Sequence, residues 1–231
     1  MNLFVIYIIK IAIMQENVFL IDICGTMFKS NTTFDFVRYY YGSNLFVKFW
    51  LSLPYRIYNR LMFRFFKKEP LRKNLISKLC GNTNEQLALM ANDFCKNFLR
   101  EKENQQVLNI INDRRTNGYR LVIVSATIDV IARAVAFYYN IPEYLSTTLK
   151  YDAEGVCMGK IDEDFLSCKK KMLKKHGFIP PYAGILTDNF SDCDVICESK
   201  ESYIVTDKAK VNQWEVLASK YNFKSCKIVE V

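Results

Sequence analysis

Asp22 closes the apolar run in QENVFLIDICGT, Ser125 closes VIVSAT, and Asp188 closes ILTDNFSD with Asp192 four residues on. Lys169, Lys170 and Lys171 stand in a row ahead of the last of these. A carboxylate can attack phosphorus and form an acyl-phosphate, which splits one hard displacement into two easier ones. Two carboxylates from different strands make a hard oxygen site suited to Mg2+. A hydroxyl and an ammonium can hold the phosphoryl oxygens as charge redistributes. Gly25 and Thr26 follow Asp22 in a turn that would let backbone amides approach an anion. Singly, a strand-end Asp or Ser is commonly a helix cap. Several in order along one chain favour a shared site.

Such a site needs elements that bring these groups to one edge. Apolar runs bounded by turn signals predict strands over 17–24, 119–124, 144–149, 182–187 and 202–205, with a further edge strand over 224–229. Helical periodicity fills the gaps over 105–115, 128–139, 169–176, 192–199 and 209–221. Near-continuous apolar strands alternating with helices predict an α/β fold, a parallel sheet covered on both faces. Ligands then sit at the carboxyl ends of the strands. The stretch from Thr33 to Asn104 reads as helical throughout and interrupts the alternation. The expected organisation is a core of residues 14–32 and 105–231, an inserted all-helical cap over 33–104 after the first strand, and a hydrophobic extension over 1–13.

Bulk properties exclude several classes. Half of the 231 residues are hydrophobic and 14% aromatic, the profile of a folding chain. The single histidine, His176, leaves little room for histidine triads or multi-histidine metal sites, and its lysine-rich setting reads as an exposed helix end. Eight scattered cysteines point to reduced thiols and a cytoplasmic location, with Cys193 and Cys197 read as buried helix packing rather than a zinc site. The opening MNLFVIYIIKIAIM is too short to span a bilayer, and two readings fit it: a start at Met14, or a weak membrane anchor.

The motifs together resemble the haloacid dehalogenase superfamily, in its phosphoserine-phosphatase-like branch, over nearly the whole chain from Val18. DICGT resembles the D-x-D-G-T nucleophile loop, VIVSAT the hydroxyl-bearing second motif and DNFSD the D-x-x-x-D metal motif. The resemblance implies a Rossmann-like three-layer sheet with a helical cap, and Mg2+-dependent hydrolysis of a small phosphorylated substrate. It implies Asp22 as nucleophile and metal ligand, Ser125 with neighbouring Ala126 at the phosphate, and Asp188 as metal ligand. Asp192 would support the metal site, and Cys24 would offer its backbone carbonyl. The conserved-type lysine falls at 169 or 170: spacing from Leu166 favours Lys170, spacing to Leu173 favours Lys169, and Lys170 is set slightly ahead.

Two departures matter. Cys24 replaces the aspartate that, in the family's phosphatases, is general acid and base, and a thiol of pKa about 8.5 is poor at either. Asn31 stands near the point where phosphoserine phosphatases carry a glutamate for the substrate amine, and an amide gives no such charge pairing. Thr187 stands where glycine is common. A second feature lies in the cap. Arg56, Arg60, Arg64 and Lys68 recur every four residues among Trp50, Leu61, Met62, Phe65 and Phe66, within a span from Asn44 to Cys80 whose only acid is Glu69. Either this helix buries its apolar side, or it lies on an anionic membrane, which would place the protein at the inner face of the membrane and make a lipid phosphate a natural substrate. No nucleic-acid reading module accompanies the charge.

Overall fold

The computed structural model describes residues 17–66 and 69–231. The extension over 1–13, and Lys67 and Lys68, lie outside the described residues. Among the described residues seven strands form one sheet: β1 (Val18–Ile21), β2 (Arg120–Ile128), β3 (Glu143–Tyr151), β4 (Cys157–Glu163), β5 (Tyr182–Thr187), β6 (Ser199–Thr206) and β7 (Cys226–Glu230). Their order is β4-β3-β2-β1-β5-β6-β7. All neighbours run parallel except β4, which is antiparallel to β3.

Alternation of side chains along central β1 builds the two faces. Phe19 and Ile21 enter one core with α6 (Gln105–Thr116) and α7 (Asp129–Tyr138). Val18 and Leu20 enter the other, against α8 (Lys169–Lys175), α9 (Cys193–Cys197) and α10 (Val211–Tyr221). All four β1 residues are buried. Burying each such side chain favours folding by about 1.5–3 kcal/mol. This is the expected three-layer α/β arrangement.

The antiparallel β4 was not foreseen. Gly159 within it has φ +63°, and a Cβ there would lie 2.9 Å from the Ser77 carbonyl oxygen. The glycine that weakens the strand signal is what lets a helix backbone approach. Between β1 and α6 run α1 (Thr32–Tyr41), α2 (Leu45–Trp50), α3 (Leu53–Phe66), α4 (Pro70–Ser77) and α5 (Asn84–Phe94), followed by a π turn and a 3-10 turn. Each of α1, α4 and α5 sends residues into the first core, among them Phe36, Leu75 and Phe94. Cys193 is partly buried against the second core, but Cys197, the last residue of α9, is exposed, so the two do not form the buried packing pair expected. Among the described residues no helix is long and apolar enough to cross a membrane.

Candidate active site

β1 ends at Ile21, so Asp22 stands at the tip of the central strand, with β2 on one side and β5 on the other. Its Oδ1 accepts from the Ile23 amide at 2.7 Å. Its Oδ2 accepts from Lys169 Nζ at 2.5 Å, and the same ammonium donates to Asp192 Oδ2 at 2.7 Å. All three groups are buried. Burial pushes the Asp22 carboxyl up, against the pull of Lys169. Burial also opposes charge on Lys169, but Asp192 and Asp22 outweigh it and hold the ammonium well above the usual lysine range. Lys169 therefore stays charged beside Asp22.

Lys170, set ahead of its neighbour from spacing, is a correction. It is half-exposed and pairs with Glu198 at 2.7 Å. Successive helical residues point about 100° apart, so only one of the adjacent lysines can enter the cleft from the start of α8.

Asp192, expected to support the metal site, holds Lys169 through its Oδ2 at 2.7 Å. Its Oδ2 also accepts from the Thr187 hydroxyl at 2.6 Å. Thr187, which departs from the family's usual glycine, thus orients the carboxylate that orients the lysine. Asp188 follows β5 directly and accepts from the Thr26 hydroxyl at 3.3 Å. Burial and then the charge of Asp22 push its carboxyl up to about 7.

Gly25 and Thr26 do not present amides to an anion, contrary to expectation. The loop closes on itself: Gly25 N–H donates to the Ser30 carbonyl and Thr26 N–H to the Ile23 carbonyl. Gly25 serves another end. Its φ is +68°, and a Cβ there would lie 2.0 Å from Asp188 Oδ2, so only glycine lets Asp188 approach this loop.

The tip of β2 is irregular, its register with β3 shifting between Ser125 and Ile128. Ser125 is buried beside Asp22, whose carboxyl it pulls down slightly, and its hydroxyl donates to Thr127 Oγ1 at 3.2 Å. The Ala126 carbonyl accepts from Arg72 Nη2 at 2.8 Å. Cys24 sits in a hydroxyl cage, its Sγ 2.9 Å from Thr32 Oγ1 and 3.0 Å from Thr127 Oγ1. Burial and the nearby Asp22 charge push this thiol up, so it stays protonated. Asn31 caps α1, its Oδ1 accepting from the Phe34 amide at 3.4 Å. His176 pairs with Glu163 on the surface, away from these groups.

Asp22, Cys24, Ser125, Ala126, Lys169 and Asp188 line a cleft of about 800 Å³. Its far wall includes Arg72 and Glu69, which the sequence reading had not singled out as site residues. Arg72 is buried and holds Asp164 with both oxygens of that carboxylate, at 2.7 and 2.9 Å. It also reaches Thr147 Oγ1 at 2.8 Å. Burial pushes the Glu69 carboxyl up. The available signal was Glu69 itself, the lone acid of a basic segment, set just before Pro70 at a helix start.

The donors fit Mg2+. Buried Asp22 and partly buried Asp188 repel each other, and a divalent cation would relieve that repulsion. Among the described residues no three His, Cys, Asp or Glu side chains gather as a metal cluster. Mg2+ commonly rests on one or two carboxylates, with substrate oxygens and water completing its shell.

Residues 19–181 match the sequence profile of the haloacid dehalogenase-like hydrolases. No curated protein sequence matches the chain. Among solved structures, a protein with unknown function from Bordetella pertussis Tohama I superposes with TM-score 0.69 at 15% identity, over 92% of this chain and 97% of that one. A phosphoserine phosphohydrolase-like protein from Francisella tularensis gives 0.64 at 13%, over 92% and 94%. A substrate-bound phosphoserine phosphatase complex gives 0.60 at 13%, over 94% and 93%. Identities this low carry the fold alone.

Proposed function

The chain belongs to the haloacid dehalogenase-like hydrolase family, and from that premise we propose that it is a Mg2+-dependent phosphomonoester hydrolase working through an aspartyl-phosphate on Asp22. The observation that supports this best is the buried set Asp22–Lys169–Asp192 with Asp188 alongside, at the carboxyl edge of a parallel sheet. The substrate class is a phosphate monoester of a small metabolite or a lipid. Residues 33–104 act as its cap, supplying Arg72 and Glu69 to the cleft wall.

In this reading Asp22 attacks phosphorus as the bond to the leaving oxygen breaks. Lys169, held charged by Asp192, lies where it can stabilise the transferring group, with Ser125 beside it. Mg2+ held by Asp22, Asp188 and the Cys24 carbonyl would neutralise charge on the phosphoryl group and on the two carboxylates. Water then attacks the phosphoryl-Asp22, releasing phosphate and restoring the carboxylate.

Cys24 limits this cycle. A neutral thiol engaged by Thr32 and Thr127 neither protonates a poor leaving group nor deprotonates water. Good leaving groups such as aryl phosphates are expected to react fastest. The same observation supports a second reading: a protein that binds phosphorylated ligands with turnover largely lost.

A phosphomonoester panel with Mg2+, run on wild type, Asp22→Asn and Cys24→Asp, separates the two. Hydrolysis by wild type abolished in Asp22→Asn supports the enzyme. Phosphate-analogue binding without turnover, with activity appearing only in Cys24→Asp, supports the second. A folded wild type that neither binds nor turns over any of them defeats both.

A further inference from the structure

Helix α3 is built inside out. Its one buried residue is Asn59, whose Oδ1 accepts from the Leu71 amide at 2.9 Å. Leu53, Ile57, Leu61 and Phe65 recur every four residues and so share a face. That face points to solvent: Leu53 and Phe65 are each 69% exposed. Arg56, Arg60 and Arg64, each one position earlier than an apolar neighbour, form an exposed stripe beside it. On α2 the same outward display continues, with Leu45 79%, Phe46 64% and Phe49 60% exposed while Val47 is buried. A surface helix ordinarily turns such residues inward, and clustered exposure of this kind marks an interaction surface.

The charge says what fits it. From Asn44 to Phe66 the sequence carries Lys48, Arg56, Arg60 and Arg64 and no acid. A second copy docking by two-fold symmetry would bring the arginine stripes together with no carboxylate to pair them. An anionic bilayer offers both halves of the complement, acyl chains for the apolar face and headgroup phosphates for the arginines. The basic side also leads inward. Lys29, Arg38, Lys48 and Arg56, against the single acid Asp35, line a cleft of about 920 Å³ that shares Ser30, Asn31 and Phe34 with the catalytic one.

We propose that the outward apolar face of α2 and α3, with its flanking arginines, docks the protein on anionic lipid surfaces. Leu53, Ile57, Leu61 and Phe65 sink below the headgroups, and Arg56, Arg60 and Arg64 contact lipid phosphates. The docking itself needs no catalysis. That the adjoining basic cleft then admits a lipid-borne phosphate monoester rests on the phosphomonoesterase reading.

Co-sedimentation of the full chain with vesicles of phosphatidylcholine alone, and of phosphatidylcholine mixed with phosphatidylglycerol, tests the docking without reference to turnover. Wild type is expected to bind only the anionic vesicles, less so at high salt. Each arginine contributes about fivefold to such partitioning, so Arg56→Gln, Arg60→Gln and Arg64→Gln combined should weaken it about 100-fold. Leu53→Ser, Ile57→Ser, Leu61→Ser and Phe65→Ser combined should abolish it, while leaving the circular dichroism spectrum and aryl-phosphate hydrolysis unchanged. Folded wild type that stays in the supernatant overturns the proposal. So does vesicle binding that both variants retain, which would place the contact elsewhere in the chain. Self-association lost in the serine variant, without vesicle binding, would overturn it in favour of a second copy.

Discussion

Lys169 Nζ reaches Asp22 Oδ2 at 2.5 Å across 147 residues of sequence. The contact joins the first strand to the start of α8, and Asp192 and Thr187 hold it from behind. Removing the ammonium would leave two buried carboxylates facing each other. Lys169→Met is therefore expected to abolish phosphate release and to destabilise the fold by about 3–5 kcal/mol, read by chemical denaturation. Lys170→Met, at the exposed Glu198 pair, should change neither activity nor melting temperature. Equal effects of the two substitutions would contradict the assignment.

Cys24→Asp restores a titratable oxygen acid beside Asp22. If the missing general acid and base limits turnover, kcat on an alkyl phosphate should rise by up to about 10²–10⁴, with a smaller gain on an aryl phosphate, whose leaving group needs less help. Cys24→Ala should leave kcat near wild type, because a protonated thiol contributes little to proton transfer. A large loss in Cys24→Ala would show that the thiol itself takes part.

Gly25→Ala places a methyl group where Asp188 now sits, in a left-handed backbone conformation. The backbone term alone costs about 1–2 kcal/mol. The displacement of Asp188 should show separately, as a higher Mg2+ concentration needed for half-maximal activity. Unchanged Mg2+ dependence in a destabilised variant would mean that Asp188 lies outside the metal site.

Magnesium should raise the melting temperature of the wild type, since a ligand bound only by the folded state stabilises it by mass action. Asp188→Asn should reduce that shift, and chelation should stop phosphate release reversibly. A wild-type melting temperature indifferent to Mg2+, together with activity that survives chelation, would contradict metal dependence.

Much of this was legible in the sequence because strand-end chemistry is local. Asp22, Ser125 and Asp188 each close an apolar run, and the runs specify where the sheet edge lies. What sequence could not resolve depended on direction or on distant partners. Three lysines in a row look alike until the helix phase is fixed, and only Lys169 turns inward. Gly25 and Thr26 looked like anion-binding amides, but the loop spends those amides on its own carbonyls. The hydroxyl cage of Cys24 joins Thr32 to Thr127, 95 residues away. The β4 strand was hidden by Gly159, whose reason for being glycine lies in the approach of Ser77. Arginine spacing showed a basic face on α3, but which side faced out needed the packing of Asn59.

The central claim is that Asp22 carries the phosphoryl group, and it can be tested covalently. Wild type mixed with an aryl phosphate and Mg2+, quenched in acid and digested, should yield a phosphorylated peptide whose modification maps to Asp22 and which Asp22→Asn does not form. Continued phosphate release by folded Asp22→Asn, or a label mapping to any other residue, would contradict the account.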